Sequence, residues 1–134
     1  MPKRLTHRLL ALVLLLSAYE YIIGFPRFYD GRWVHRSTQW YGLSEVCPIP
    51  YLRGEMHYVY IDTNGIKVKH GSYVTRHSFW VKETVGQYRD GKEVGTWIKN
   101  DGAKEFFKNG KIVGWTTKQI DGSFQTFGKP EEAN

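Results

Sequence analysis

Two patterns of apolar residues divide the chain. After Lys3, Arg4, His7 and Arg8, residues 9–25 form a Leu-rich stretch broken only near its end by Glu20, whereas from Met56 onward apolar and polar residues alternate in short runs. The alternation has the two-residue period of half-buried strands. It predicts strands at about 56–61, 66–70, 72–75, 78–89, 92–99, 103–108, 111–117 and 123–127, each bounded by glycine or a turn signal. Asn/Asp-Gly dipeptides supply the turns at Asp30-Gly31, Asn64-Gly65, Asp90-Gly91, Asp101-Gly102, Asn109-Gly110 and Asp121-Gly122. Such a pair suits a type I′ turn, which needs φ > 0 at both central residues and twists in the same sense as the strands it joins. The predicted fold is all-β: a single-layer antiparallel ribbon of repeated β-hairpins, preceded by one N-terminal hydrophobic helix.

Four segments follow from this patterning. Residues 1–25 are a signal-anchor or a signal peptide, 26–54 an irregular connector rich in Pro and Trp, 55–128 the hairpin repeat domain, and 129–134 a polar tail expected to fray. A basic start followed by an apolar core has the order of an export signal, but Leu15 and Leu16 occupy positions where cleavage requires small residues. An uncleaved signal-anchor is therefore preferred to a cleaved peptide or a buried core helix. As a helix, residues 9–25 would span roughly 25 Å, at the short end for a bilayer core of about 30 Å, with Glu20 reaching the headgroup layer beside Tyr19 and Tyr21. The basic residues Lys3, Arg4 and Arg8 are matched by Arg27, Arg32 and Arg36, so charge alone does not orient it. The short N-terminal tail favours a single-pass protein with its C-terminal domain outside the cytoplasm. The alternative is a secreted or periplasmic product of cleavage.

Composition narrows the reading further. The 134 residues are 16% aromatic and contain no Leu after Leu52, which suits strands better than packed helices. The net charge of +6 falls to +4 once residues 1–25, with Lys3, Arg4 and Arg8 against Glu20, are set aside. The remaining lysines, among them Lys67, Lys69, Lys92, Lys99, Lys104, Lys108 and Lys111, are spread along the strands as solvated positions that discourage edge pairing. With no basic block interleaved with stacking aromatics, nucleic acid is not an expected partner. Cys47 is the single cysteine and forbids an internal disulfide.

Aligning the turns exposes a repeat. Tyr88-Arg89-Asp90-Gly91-Lys92-Glu93-Val94-Gly95-Thr96-Trp97 matches Phe107-Lys108-Asn109-Gly110-Lys111-Ile112-Val113-Gly114-Trp115 with a 19-residue offset, and looser copies surround Asn64-Gly65 and Asp121-Gly122. On this alignment Asp101-Gly102 links copies and Asp30-Gly31 lies in the connector. The first Gly of each copy makes the turn, while the second is expected to clear space for a ring lying flat. The stretch Gly86 to Trp97 and the copy ending at Trp115 resemble the MORN-repeat variant of bacterial proteins, some labelled antitoxin-like, over about residues 60–128. That resemblance implies a single-layer hairpin ribbon used for protein or membrane contact, with no catalytic residues to carry over.

The chemistry-bearing residues are sparse. His57 and His70 are expected near opposite positions across the Asn64-Gly65 turn, with His77 and His35 farther away, but two imidazoles without a third ligand make no metal site. Asp90, Glu93, Asp101, Glu105 and Asp121 lie in turns or beside lysines, where they hold turns and pair across strands. No cofactor, metal or catalytic residue is assigned, and the chain is read as a non-enzyme. The expected partner-binding residues are Tyr73, Trp80, Tyr88, Trp97, Phe107 and Trp115, with Lys92 and Lys111. The expected function is a membrane-anchored module for protein-protein interaction at the cell envelope, attached through residues 9–25. The alternative is an exported module binding anionic lipid or cell-wall glycan through the same aromatic-lysine face.

Overall fold

The computed structural model describes residues 3–43, 52–76 and 82–133. One helix, α1 (Lys3–Ile22), precedes nine strands: β1 (Arg27–Tyr29), β2 (Arg32–Leu43), β3 (Leu52–Ile61), β4 (Lys67–Arg76), β5 (Lys82–Arg89), β6 (Lys92–Lys99), β7 (Lys104–Lys108), β8 (Lys111–Lys118) and β9 (Phe124–Gly128). All nine join in one antiparallel sheet in chain order, so every neighbour in the sheet is a neighbour in sequence. A 3-10 turn at Pro130–Glu132 closes the chain.

The six Asn/Asp-Gly pairs make two kinds of turn. At Asp30-Gly31, Asp90-Gly91 and Asn109-Gly110 both central residues have positive φ, 44° and 79°, 47° and 80°, 51° and 81°. These are the expected two-residue type I′ hairpins. At Gly65, Gly102 and Gly122 only the glycine is left-handed. There the N–H of Gly65, Gly102 and Gly122 donates to the C=O of Asp62, Lys99 and Gln119, giving three-residue loops. In two of them, Asp101 and Asp121 accept the backbone N–H two residues on, from Ala103 and Ser123. Asp62 caps its own loop through Asn64 and Ile66. The side-chain acceptor favours this wider loop over the I′ form.

Where it is described, the stretch expected to be an irregular connector, 26–54, holds β1, β2 and the start of β3, and Asp30-Gly31 is a hairpin turn. The strands expected at 66–70 and 72–75 are one, β4, which passes Gly71 at φ 107° in an irregular stretch of its pairing with β3. Residues 129–133 of the expected tail lie against the sheet. Lys129 N–H donates to Val113 C=O at 2.7 Å, and Ala133 is buried.

The apolar N-terminal segment is helical, but it stops earlier than residue 25. Ile23 and Gly24 both donate to Tyr19 C=O, with Gly24 left-handed at φ 79°, which closes the helix. From Leu9 to Ile22 the helix is about 21 Å long at 1.5 Å per residue. Glu20 does not stand free for a headgroup layer: it accepts the Phe25 N–H at 2.7 Å and pairs with Arg27 at 3.0 Å, turning the chain into β1. That N–H, with Arg27, holds its carboxyl below the usual range. Among the described residues no helix is long and apolar enough to cross a membrane, so the expected transmembrane helix is not supported.

The core is thin, as one layer of sheet requires. Among the described residues its buried apolar members are Val34, Tyr58, Val59, Val74, Val94, Trp97 and Ala133, joined by His57 and His70. Adjacent hairpins are also tied at their turns. Gly91 N–H donates to Lys69 C=O at 2.8 Å, and Gly110 N–H to Glu93 C=O at 2.9 Å. Each turn thus docks on the second strand of the hairpin before it, which a lone hairpin cannot offer.

Candidate functional site: an aromatic face and a histidine pin

The register sets His57 opposite Tyr73, and Tyr73 opposite Gly86. Trp97 lies over Gly86: a Cβ added there would meet the indole at 2.2 Å. The ring space is therefore provided by Gly86 on the neighbouring strand, while Gly95, the glycine expected to provide it, turns left-handed at φ 68°. Around this seat the rings form a contiguous row. Tyr73, Tyr88 and Phe107 have centroids 5.1, 5.2 and 5.7 Å from Trp97, and His57 stacks on Tyr73 at 6.3 Å.

A charged residue missed by sequence reasoning threads this row. Lys69 Nζ sits 5.1 and 5.0 Å from the Tyr73 and Tyr88 ring centroids and 3.1 Å from Glu55 Oε1. Glu55 also accepts the Tyr73 hydroxyl, and its Oε1 lies 2.9 Å from His57 Nδ1 without the alignment of a hydrogen bond. Burial, then the Lys69 charge, lower the His57 pKa against the pull of Glu55, so this imidazole is neutral at pH 7. Burial, then the nearby Glu93 and Glu55, push the Tyr88 hydroxyl up to about 12. The cluster is a closed set of rings around an ion pair. The indole N–H of Trp97 is itself buried without an acceptor.

The structure divides the expected binding residues accordingly. Tyr73, Tyr88, Trp97 and Phe107 come together, but as a packed cluster in which Trp97 is only 7% exposed. Trp115 is separate: it is 46% exposed and stacks on Phe127, at 5.7 Å and 18° between planes. Trp97 and Trp115 both stand opposite Glu105 on β7, so the exposed pair continues the same row. Lys92 and Lys111 are exposed at the turn ends of β6 and β8, with the Lys92 stem against the Asn109-Gly110 turn. Trp80 and His77 lie outside the described residues, as does Cys47. Phe127 lies one residue beyond the place where the 19-residue offset from Tyr88 and Phe107 lands, which is Thr126, and no Asn/Asp-Gly follows it to mark it.

His57 and His70 do not meet. His70 packs edge-on between Tyr29 and Tyr60, at 5.6 Å from each, on the face opposite the Lys69 row. Its side chain is 1% exposed. Nε2–H donates to Tyr29 C=O and Nδ1 accepts the Asp90 N–H, both at 3.1 Å, which uses both nitrogens in the neutral form. Asp90 in turn accepts from Tyr60 Oη at 2.9 Å and Arg32 Nε at 2.8 Å. Those bonds, Tyr60's first, lower its pKa. Arg89 returns the contact by pairing with Asp30 at 2.7 Å. His70 thus pins the tip of the β1–β2 hairpin to the β5–β6 turn. No protein-family model, curated protein or solved structure matches this chain. Among the described residues, no three His, Cys, Asp or Glu side chains are placed to hold a metal.

Proposed function

We propose that this protein is a non-enzymatic β-hairpin module that binds another protein at the cell envelope, with α1 as its attachment. The observation that carries the reading is the Trp115–Phe127 stack, an exposed aromatic pair that continues the row of packed rings Tyr73, Tyr88, Trp97 and Phe107; Phe28 and Trp33, at the far edge of the sheet, form a second exposed pair outside that row. Lys111 and Lys118 bound the strand that presents Trp115. Aromatic rings with two rotatable bonds lose little entropy when a partner covers them, which makes such a pair an efficient contact. The resemblance of residues 60–128 to the MORN-repeat variant supports the same use of the ribbon.

The helix contributes the location. Leu9, Leu10, Leu12 to Leu16 and Tyr19 are all exposed, a surface that water does not favour and lipid does. The reading of the sheet as lying outside the cytoplasm rests on the export-signal order of residues 1–25 in the sequence. Full-length protein in detergent extracts, compared with Trp115→Ser and Phe127→Ser variants of unchanged unfolding temperature, tests the partner. Loss of the co-purifying protein from both variants is expected, and an unchanged set overturns the reading. Retention on anionic vesicles or glycan in its place, falling with salt, favours the alternative in which the same pair and its lysines bind lipid headgroups or sugar.

A further inference from the structure

Among the described residues, no strand pairs with the outer edge of β9. Every strand from β4 to β8 begins and ends with Lys or Arg, the usual guard against unwanted strand pairing. β9, Phe124-Gln125-Thr126-Phe127-Gly128, has no charge, and all five residues are exposed. Its hydrogen-bonding phase follows from the ends of its pairing with β8. Gln119 N–H donates to Ser123 C=O, and Lys129 N–H to Val113 C=O. Between these, the register sets Thr117 opposite Gln125 and Trp115 opposite Phe127 as the bonded pairs. The N–H and C=O groups of Phe124, Thr126 and Gly128 therefore point away from the sheet. A fourth hairpin would cover them, but Lys129-Pro130 stands where the type I′ turn of the earlier copies would be, and the chain leaves the sheet.

We propose that a second copy of this chain covers this edge, by antiparallel pairing of β9 with β9 about Thr126. The edge is self-complementary in that register. Thr126 meets its own copy, and Phe124 meets Gly128, so each outward-pointing residue faces another outward-pointing residue. Thr116 and Thr126 of each copy then form one threonine ladder, a favourable cross-strand set. Phe124, whose ring lies beside Gly102 of its own chain, meets a residue of the other copy, Gly128, that has no side chain to clash with it. Lys129 falls opposite Ser123 and stays paired with Glu132, so no lysine opposes another. The aromatic rows of the two copies join into one sheet.

The test uses the full chain in detergent, in a Cys47→Ser background. Thr126→Cys places two thiols on facing residues about 5.5 Å apart between Cα atoms, within reach of a disulfide or a short bifunctional thiol reagent. Covalent homodimer is expected from Thr126→Cys and not from Thr117→Cys, which lies one strand in. Without the thiol, light scattering is expected to show a concentration-dependent dimer that Thr126→Lys abolishes at unchanged unfolding temperature. Equal crosslinking at 117 and 126, a dimer that survives Thr126→Lys, or a monomer at all concentrations overturns the proposal. So does covalent capture of a different polypeptide at position 126. Partner binding by Trp115 and Phe127 is read separately, because their rings stand on one face of the sheet and Thr126 on the other.

Discussion

At its N-terminal edge the sheet ends in β1, three residues long and guarded by Arg27, whose guanidinium pairs with Glu20 and lies 5.3 Å from the Tyr58 ring centroid. At the other edge it ends in β9, longer, uncharged and exposed along its whole length. The difference extends inward. The first half is held by polar tertiary contacts, with His70 buried between a hairpin tip and a turn distant in sequence. The second half is held by repetition, hairpins meeting through ring contacts and turn N–H groups, with Gly86 seating Trp97. A repeated contact can be extended by another strand, whereas a contact unique to one position closes the structure.

Substitutions that act on one half and spare the other sharpen this contrast. The largest effect is expected at Trp97. Trp97→Ala removes the centre of the ring cluster and should cost about 3–5 kcal/mol, as for other buried aromatic truncations, whereas Trp115→Ala should cost less than about 1. Urea unfolding of full-length protein in a mild detergent reads both. Trp97→Phe should cost much less than the alanine change, because it also removes an N–H that has no acceptor. Equal losses at 97 and 115 would mean that the second half has no distinct core.

His70→Ala comes next. It leaves a cavity and orphans the Tyr29 carbonyl and the Asp90 amide, at a cost of about 2–4 kcal/mol. Amide exchange should accelerate in β1 and β2 while β6–β8 keep their protection; uniform acceleration would show that the halves unfold as one.

The smallest effect is acid sensitivity. Asp90 has a folded pKa below its unfolded value, so its contribution is present above about pH 4 and is lost as pH falls through the folded pKa. The exposed ion pairs of Asp90 and Asp30 should each contribute no more than about 1 kcal/mol. His57 titrates higher: its lowered folded pKa makes stability fall as pH drops below about 6.5 and through the folded value. Unfolding followed from pH 7 to pH 3 should lose stability first through His57, which His57→Gln removes, and then through Asp90, which Asp90→Asn removes.

The sequence alone carried the second half well. The strand starts at Lys92 and Lys111, the type I′ turns at Asp90-Gly91 and Asn109-Gly110, and the grouping of Tyr88, Trp97 and Phe107 are all local or repeated signals. Backbone propensity and a two-residue period act over short distances, so a few residues suffice to read them. The first half was misread where its signals are not local. β1 and β2 carry no repeat and little alternation, and their hairpin tip is held by His70 and Asp90, which chain position does not bring to mind.

What the chain by itself determined was a meander of hairpins behind a hydrophobic helix, because Asn/Asp-Gly pairs reverse strands wherever they occur. Only the tertiary structure decided which rings are spent on packing and which are left outside. Trp97 and Trp115 occupy matching places in the repeat, yet one lies over Gly86 between flanking strands and the other lies near the end of the sheet. Both strands have a neighbour on each side, so it is the seat found across the sheet, Gly86 under Trp97 against Glu105 beside Trp115, that sets how much of each ring is withdrawn from water.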